Sequence, residues 1–171
     1  MSGGSTLIEV QVSNPADQSG ATVAAAVRRL LQATPSKYLT GLDRIAVADT
    51  TSLSRSGRRR HEKLKNDLRL ATYFRRQQRI PPGIEMYSDA MSRSSYGNYL
   101  RFPIFRDVFV ARVVFHEIGH HIAYEIEPRH DQREEVANVW ARWLSGLALN
   151  AEHPILFPFL KRIMRRRRAQ Q

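Results

Sequence analysis

The sequence predicts an α+β domain in which a small mixed sheet packs on two long helices. Three observations carry that expectation. Short segments with apolar residues at alternate positions crowd the first half of the chain, and that period belongs to half-buried strands. Two longer segments between residues 106 and 149 place apolar residues three and four apart, the period of amphipathic helices. The chain has no cysteine, so disulfides are excluded and an ordinary apolar core must hold the fold. A chain of 171 residues with 42% hydrophobic content is long enough to build one.

The elements follow in order. Thr6 to Ser13 sets Leu7, Ile8, Val10 and Val12 among polar residues and reads as a strand, closed by the turn signal Asn14-Pro15. Gly20 to Ala33 carries Val23, Ala26, Val27, Leu30 and Leu31 at helical spacing and stops at Thr34-Pro35. Arg44 to Asp49, with Ile45 and Val47, is a second strand. From residue 50 to 66 serines and a glycine give way to Arg58-Arg59-Arg60-His61 and Lys63-Leu64-Lys65, an exposed basic loop. Leu68 to Phe74 reads as a third strand, Pro81-Pro82-Gly83 as a break, Gly83 to Asp89 as a fourth strand, and Ser92 to Asn98 as a polar loop.

Arg106 to Tyr124 is the clearest helix, with Val108, Ala111, Phe115, Ile118 and Ile122 on one face and Pro128 beyond its end. Gln132 to Leu149 is the next, with an apolar stripe of Val136, Val139, Trp140, Trp143, Leu144 and Leu147. Residues 1–152 are expected to form one domain, and 153–171 a basic C-terminal segment ending in Arg165-Arg166-Arg167-Arg168. No internal repeat is present.

The net charge of +11 favours acidic partners. Nucleic acid could be contacted through the basic regions, with affinity that weakens steeply in salt. Arg55 to Arg79 and Lys161 to Arg168 are the segments rich in Arg and Lys, and aromatic residues among them are limited to Tyr73 and Phe74, so base stacking is not suggested. The polar start at Met1 to Ser5 lacks the features of a signal peptide, and no run of about 18 apolar residues exists for a membrane span. A cytoplasmic protein without a membrane role is the expectation.

The chemistry concentrates in His116-Glu117-Ile118-Gly119-His120. Residues four apart on a helix share a face, so both imidazoles can reach one Zn²⁺ at about 2.0–2.1 Å. Glu117 lies about 100° further round the helix. It sits beside the ligand pair, where a carboxylate can take the proton of a metal-bound water and later pass it to a leaving amine. Gly119 permits close approach of another element. His121 faces elsewhere and reads as a supporting or core-edge histidine. A catalytic zinc needs a third protein ligand. Glu134 and Glu135, at the start of the next helix, and His130, in the loop before it, are the alternatives. Asp131 followed by Glu134 also fits a capping box, in which Glu134 only closes the helix start.

His116-Glu117-Ile118-Gly119-His120 followed by Glu134-Glu135-Val136-Ala137-Asn138 resembles the gluzincin arrangement, and in size the small ImmA/IrrE-like peptidases. The resemblance spans roughly Ile84 to Leu149. It implies a zincin-like fold, with a mixed sheet packed on an active-site helix and a second, ligand-bearing helix. It further implies zinc held by His116, His120 and Glu134, catalysis by Glu117, and Asn138 orienting one of the histidines. The strand Gly83 to Asp89 would be the sheet edge along which an extended peptide binds. Tyr87, Tyr96, Tyr99, Tyr124 and His153 are the candidates for a transition-state donor. The function expected is hydrolysis of a protein or peptide substrate by a zinc-bound water that Glu117 activates. Two other readings remain: a basic nucleic-acid-associated binding protein, and a SprT-like protease acting on DNA-bound proteins, for which His130 would matter.

Overall fold

The computed structural model describes residues 8–14, 16–50, 70–77, 81–126, 133–159 and 162. The basic stretch 51–69, His130 and the arginine run 165–168 lie outside them, so the expectations placed there meet no structural observation. Among the described residues no helix is long and apolar enough to cross a membrane.

The fold is mixed α+β around one four-stranded sheet. Strands β1 (Glu9–Val12), β2 (Arg44–Ala48), β3 (Ala71–Phe74) and β4 (Gly83–Tyr87) stand in the order β1-β2-β4-β3. β1, β2 and β4 run parallel, and β3 runs antiparallel to β4. The parallel pair β1–β2 needs a long crossover, which helix α1 (Gln18–Gln32) supplies. Asp17 caps it by accepting from the Ser19 amide at 2.9 Å. Its buried face, Val23, Ala24, Ala26, Val27, Leu30 and Leu31, contributes to the core beside Ile45, Val47, Ile84 and Met86 of the sheet.

The sequence reading made Gly83 to Asp89 the edge strand, and the topology corrects it. β4 is interior because the chain reverses through Pro81-Pro82 and lays β3 along its outer side, with Tyr73 opposite Ile84 and Ala71 opposite Met86. Among the described residues the edge on that side is β3. Ser88 and Asp89 leave the sheet and open a short helix, α2 (Ser88–Arg93), that the alternation did not announce. Ser88 is fully buried and donates to Asp17 Oδ2 at 2.7 Å, tying this corner to the start of α1.

Helix α3 spans Pro103–His121, and a π-helical turn continues it over Ile122–Ile126. It starts three residues before the expected Arg106 because Pro103 takes the first helical position, where its fixed φ and missing N–H cost nothing. α3 buries Val110, Ala111, Val114, Phe115, Ile118 and Ile122. That set is broader than the single stripe the spacing suggested, because the sheet covers one side of the helix and the next helix another. Helix α4 (Arg133–Glu152) is the second correction. Its buried stripe is Ala137, Ala141, Leu144 and Ala148, whereas Val139, Trp143 and Leu147 are exposed. Two backbones in close contact leave room only for small side chains, so the large apolar residues flank the seam. Trp140 packs there with Trp143 and Tyr38.

Candidate metal centre

α3 and α4 run antiparallel. Glu134, at the start of α4, meets the C-terminal end of α3, and His153, just past the end of α4, meets Asp107 near the start of α3. Gly119 sets how closely they pass. A Cβ at that position would lie 2.6 Å from the Ala137 carbonyl oxygen and 2.7 Å from the Ala137 Cα, so the expected close approach is met by backbone itself. His116 and Gly119 are three apart on α3, and Glu134 and Ala137 three apart on α4. Each ligand therefore shares a helix face with the contact point, which brings the Glu134 carboxylate to the two imidazoles.

The His116 and His120 rings stand 4.7 Å apart and nearly perpendicular, at 87°. Their Nε2 atoms face the two oxygens of one carboxylate, His116 to Glu134 Oε2 at 3.5 Å and His120 to Glu134 Oε1 at 3.4 Å. All three side chains offer a ligand atom within 4.8 Å of the others. The donor set fits zinc. Bonds of about 2.0–2.1 Å in a tetrahedron put neighbouring ligand atoms roughly 3.3–3.4 Å apart, close to the two N···O separations. Burial, and then the neighbouring His116, hold the His120 imidazole below the ordinary histidine range, with Glu134 pulling the other way. A neutral imidazole is the form that binds a metal.

Of the alternative third ligands, Glu135 is exposed and outside the cluster, and His130 is among the residues not described. Glu117 is half-buried, one residue past His116. Asn138 makes no hydrogen bond to either histidine among the described residues. It is exposed, and its side chain makes no hydrogen bond among the described residues, while its backbone carbonyl accepts from Arg142. The inner nitrogen of His120, Nδ1, is buried without a partner. Asn138 lies one turn beyond Glu134 on α4, where that face opens to solvent.

The donor candidates separate by position. His153 is held by Asp107 at the far end of α3. Tyr87 is buried and donates towards Glu85 at 3.4 Å. Tyr96 and Tyr99 belong to an exposed aromatic cluster with Phe105 and Phe109, two or more turns before His116. Tyr124 remains, its ring 6.5 Å from that of His120. Its hydroxyl accepts from Arg133 at 3.0 Å.

His121, expected as a supporting or core-edge histidine, is fully buried, and two features around it were not foreseen. Its Nε2 lies 2.9 Å from the Thr40 carbonyl, which can only accept, so the proton sits on Nε2. Nδ1 then accepts from the Tyr73 hydroxyl at 3.2 Å. Burial, then the Glu125 carboxylate, raise the Tyr73 phenol above the ordinary tyrosine range and keep that donor protonated. This chain of bonds joins the end of α3 to the edge strand β3. Around Tyr124, moreover, Tyr73 stacks at 5.9 Å, and the guanidinium groups of Arg75 and Arg133 lie 4.3 and 4.5 Å from its ring centre. No spacing rule in the sequence links residues 73–75, 124 and 133; the signal is tertiary. Comparison of the chain with protein-family profiles, curated proteins and solved structures returns no match.

Proposed function

We propose that the chain is a zinc-dependent peptidase with a gluzincin-type site on a zincin-like fold. The observation that carries this reading is the meeting of His116, His120 and Glu134 from two helices at separations suited to a zinc tetrahedron. Zinc held by these three would supply Lewis acidity and lower the pKa of water towards neutrality.

The chain's own residues do the rest. Glu117, beside the ligand pair, takes the proton of the attacking water and delivers it to the departing amine nitrogen as the C–N bond breaks. Tyr124 accepts from Arg133, which leaves its own O–H free to donate to the oxygen of the substrate carbonyl as negative charge develops there. β3, the edge strand of the sheet among the described residues, lies beside α3 and offers backbone groups to which an extended peptide can add as a strand.

The test is metal analysis coupled to one variant. Purified protein is expected to carry one zinc per chain and to hydrolyse an unfolded protein such as casein. Glu117→Gln should keep the zinc and lose hydrolysis by about 10²–10⁴-fold, the usual contribution of a general base. A protein that takes up no zinc at neutral pH, or a variant of undiminished activity, would sink the reading. In the contrasting case of a basic nucleic-acid-binding protein, binding to DNA or RNA should persist in His116→Ala.

A further inference from the structure

Arg75 and Arg133 hold two like charges against one aromatic ring. Both guanidinium groups lie within 4.5 Å of the Tyr124 ring centre, and that ring is 6.5 Å from the ring of His120. The neighbouring carboxylates have other partners: Glu125 pairs with Arg76 at 3.9 Å, and Glu134 faces the histidines. No carboxylate lies within ion-pair distance of Arg75 or Arg133 among the described residues, and the Arg133 Nε is buried with no acceptor. The planar donor fork of a guanidinium matches a carboxylate edge-on, and both forks are held beside the Tyr124 ring. Arg75 directly follows the last residue of β3, so a peptide added along that edge leads to this cluster.

We infer that Arg75 and Arg133 form a carboxylate-binding subsite, so that the peptides cleaved carry an acidic side chain or a free C-terminus within a few residues of the scissile bond. The inference rests on the peptidase reading and names the substrate class for that site.

Binding and cleavage test it separately. The zinc-loaded Glu117→Gln protein is titrated, by fluorescence anisotropy, with a labelled alanine-rich octapeptide carrying one central Glu. Its Gln twin is titrated alongside, each as free acid and as C-terminal amide. The Glu amide is expected to bind at least tenfold more tightly than the Gln amide if the side chain is the ligand. If the terminus is the ligand, the Gln acid should exceed the Gln amide by that factor. Either preference should vanish in Arg133→Met, and Arg75→Glu should turn it towards a Lys twin. Arg75 is exposed at the end of an edge strand, so its variant keeps the test open should Arg133→Met not fold. Equal affinities across the four peptides, or no binding by any of them, overturn the subsite. Cleavage-site profiling of wild type on a mixed peptide library gives the second arm. Cleavage without acidic enrichment overturns the subsite and leaves the peptidase standing, whereas zinc-loaded protein that binds acidic peptides and cleaves nothing removes the peptidase and leaves the subsite.

Discussion

Helix α3 has a carboxylate cluster at each end, and the two are opposites. Near its start, Asp107 is 2% exposed and fully engaged. It accepts from Arg29 at 3.0 Å on both oxygens, from Arg106 at 3.2 Å and from His153 at 3.0 Å. Near its end, the Glu134 side chain is 75% exposed and faces two imidazoles at 3.4 and 3.5 Å. Polar atoms there lack partners: His120 Nδ1 and Arg133 Nε are both buried and unpaired. Desolvated charge is tolerated where every lone pair is used. The Asp107 end satisfies that condition and joins α1, α3 and the segment after α4. At the Glu134 end those two buried atoms have no partner among the described residues.

The contrast predicts that the two carboxylates differ in what their loss does. Asp107→Ala strands two guanidinium groups and the His153 imidazole, and should cost about 2–4 kcal/mol of unfolding free energy, Arg29 being open enough to recover some solvation. Glu134→Ala should change the stability of the metal-free protein by less than about 0.5 kcal/mol, as exposed substitutions do, while abolishing tight zinc binding. Urea denaturation and zinc titration of both variants measure this. Equal stability losses would erase the distinction between the two ends.

Gly119→Ala tests whether the seam positions the open end. Its methyl group would meet backbone of Ala137, which no rotamer change can relieve. Forced separation should cost about 1–3 kcal/mol and weaken zinc binding as Glu134 is carried away. Denaturation together with zinc affinity reads both effects, and unchanged affinity would show that the ligand does not depend on the seam.

A pH series sharpens the comparison further. Burial holds both His120 and His121 below the ordinary histidine range. The folded state therefore resists protons that the unfolded chain accepts. Stability of the metal-free protein should be full above about pH 6.5, the unperturbed histidine value, and fall as pH drops below it towards the folded values. Thermal melts between pH 8 and 5 should show a declining Tm, and a flat Tm would contradict the assignment. The smallest effect concerns Asn138. Its side chain bonds neither imidazole among the described residues, so Asn138→Ala should alter zinc affinity by less than about twofold, against the 10–100-fold loss expected for a true supporting partner. Competition with a chelator distinguishes the two.

Much of this arrangement was legible in the residue order. Local spacing fixes angle around a helix axis, and so the placing of His116 and His120 on one face with Glu117 beside them. Alternation located all four strands to within a few residues, and Gly119 announced a close neighbour. Periodicity was less reliable for burial on α4. It assumes that large apolar residues turn inward, whereas the tight seam took alanines and left Trp143 and Leu147 at the surface.

What the sequence by itself determined is therefore the mixed α+β class and the two-histidine face of α3, because both follow from backbone periods of two and 3.6 residues. The tertiary structure alone decided that Glu134 meets the histidines, that β3 and not β4 forms the edge among the described strands, and that Tyr73, Arg75 and Arg133 gather around the Tyr124 ring. Each of those depends on how two or more separate elements pack. No spacing along a single element encodes that distance.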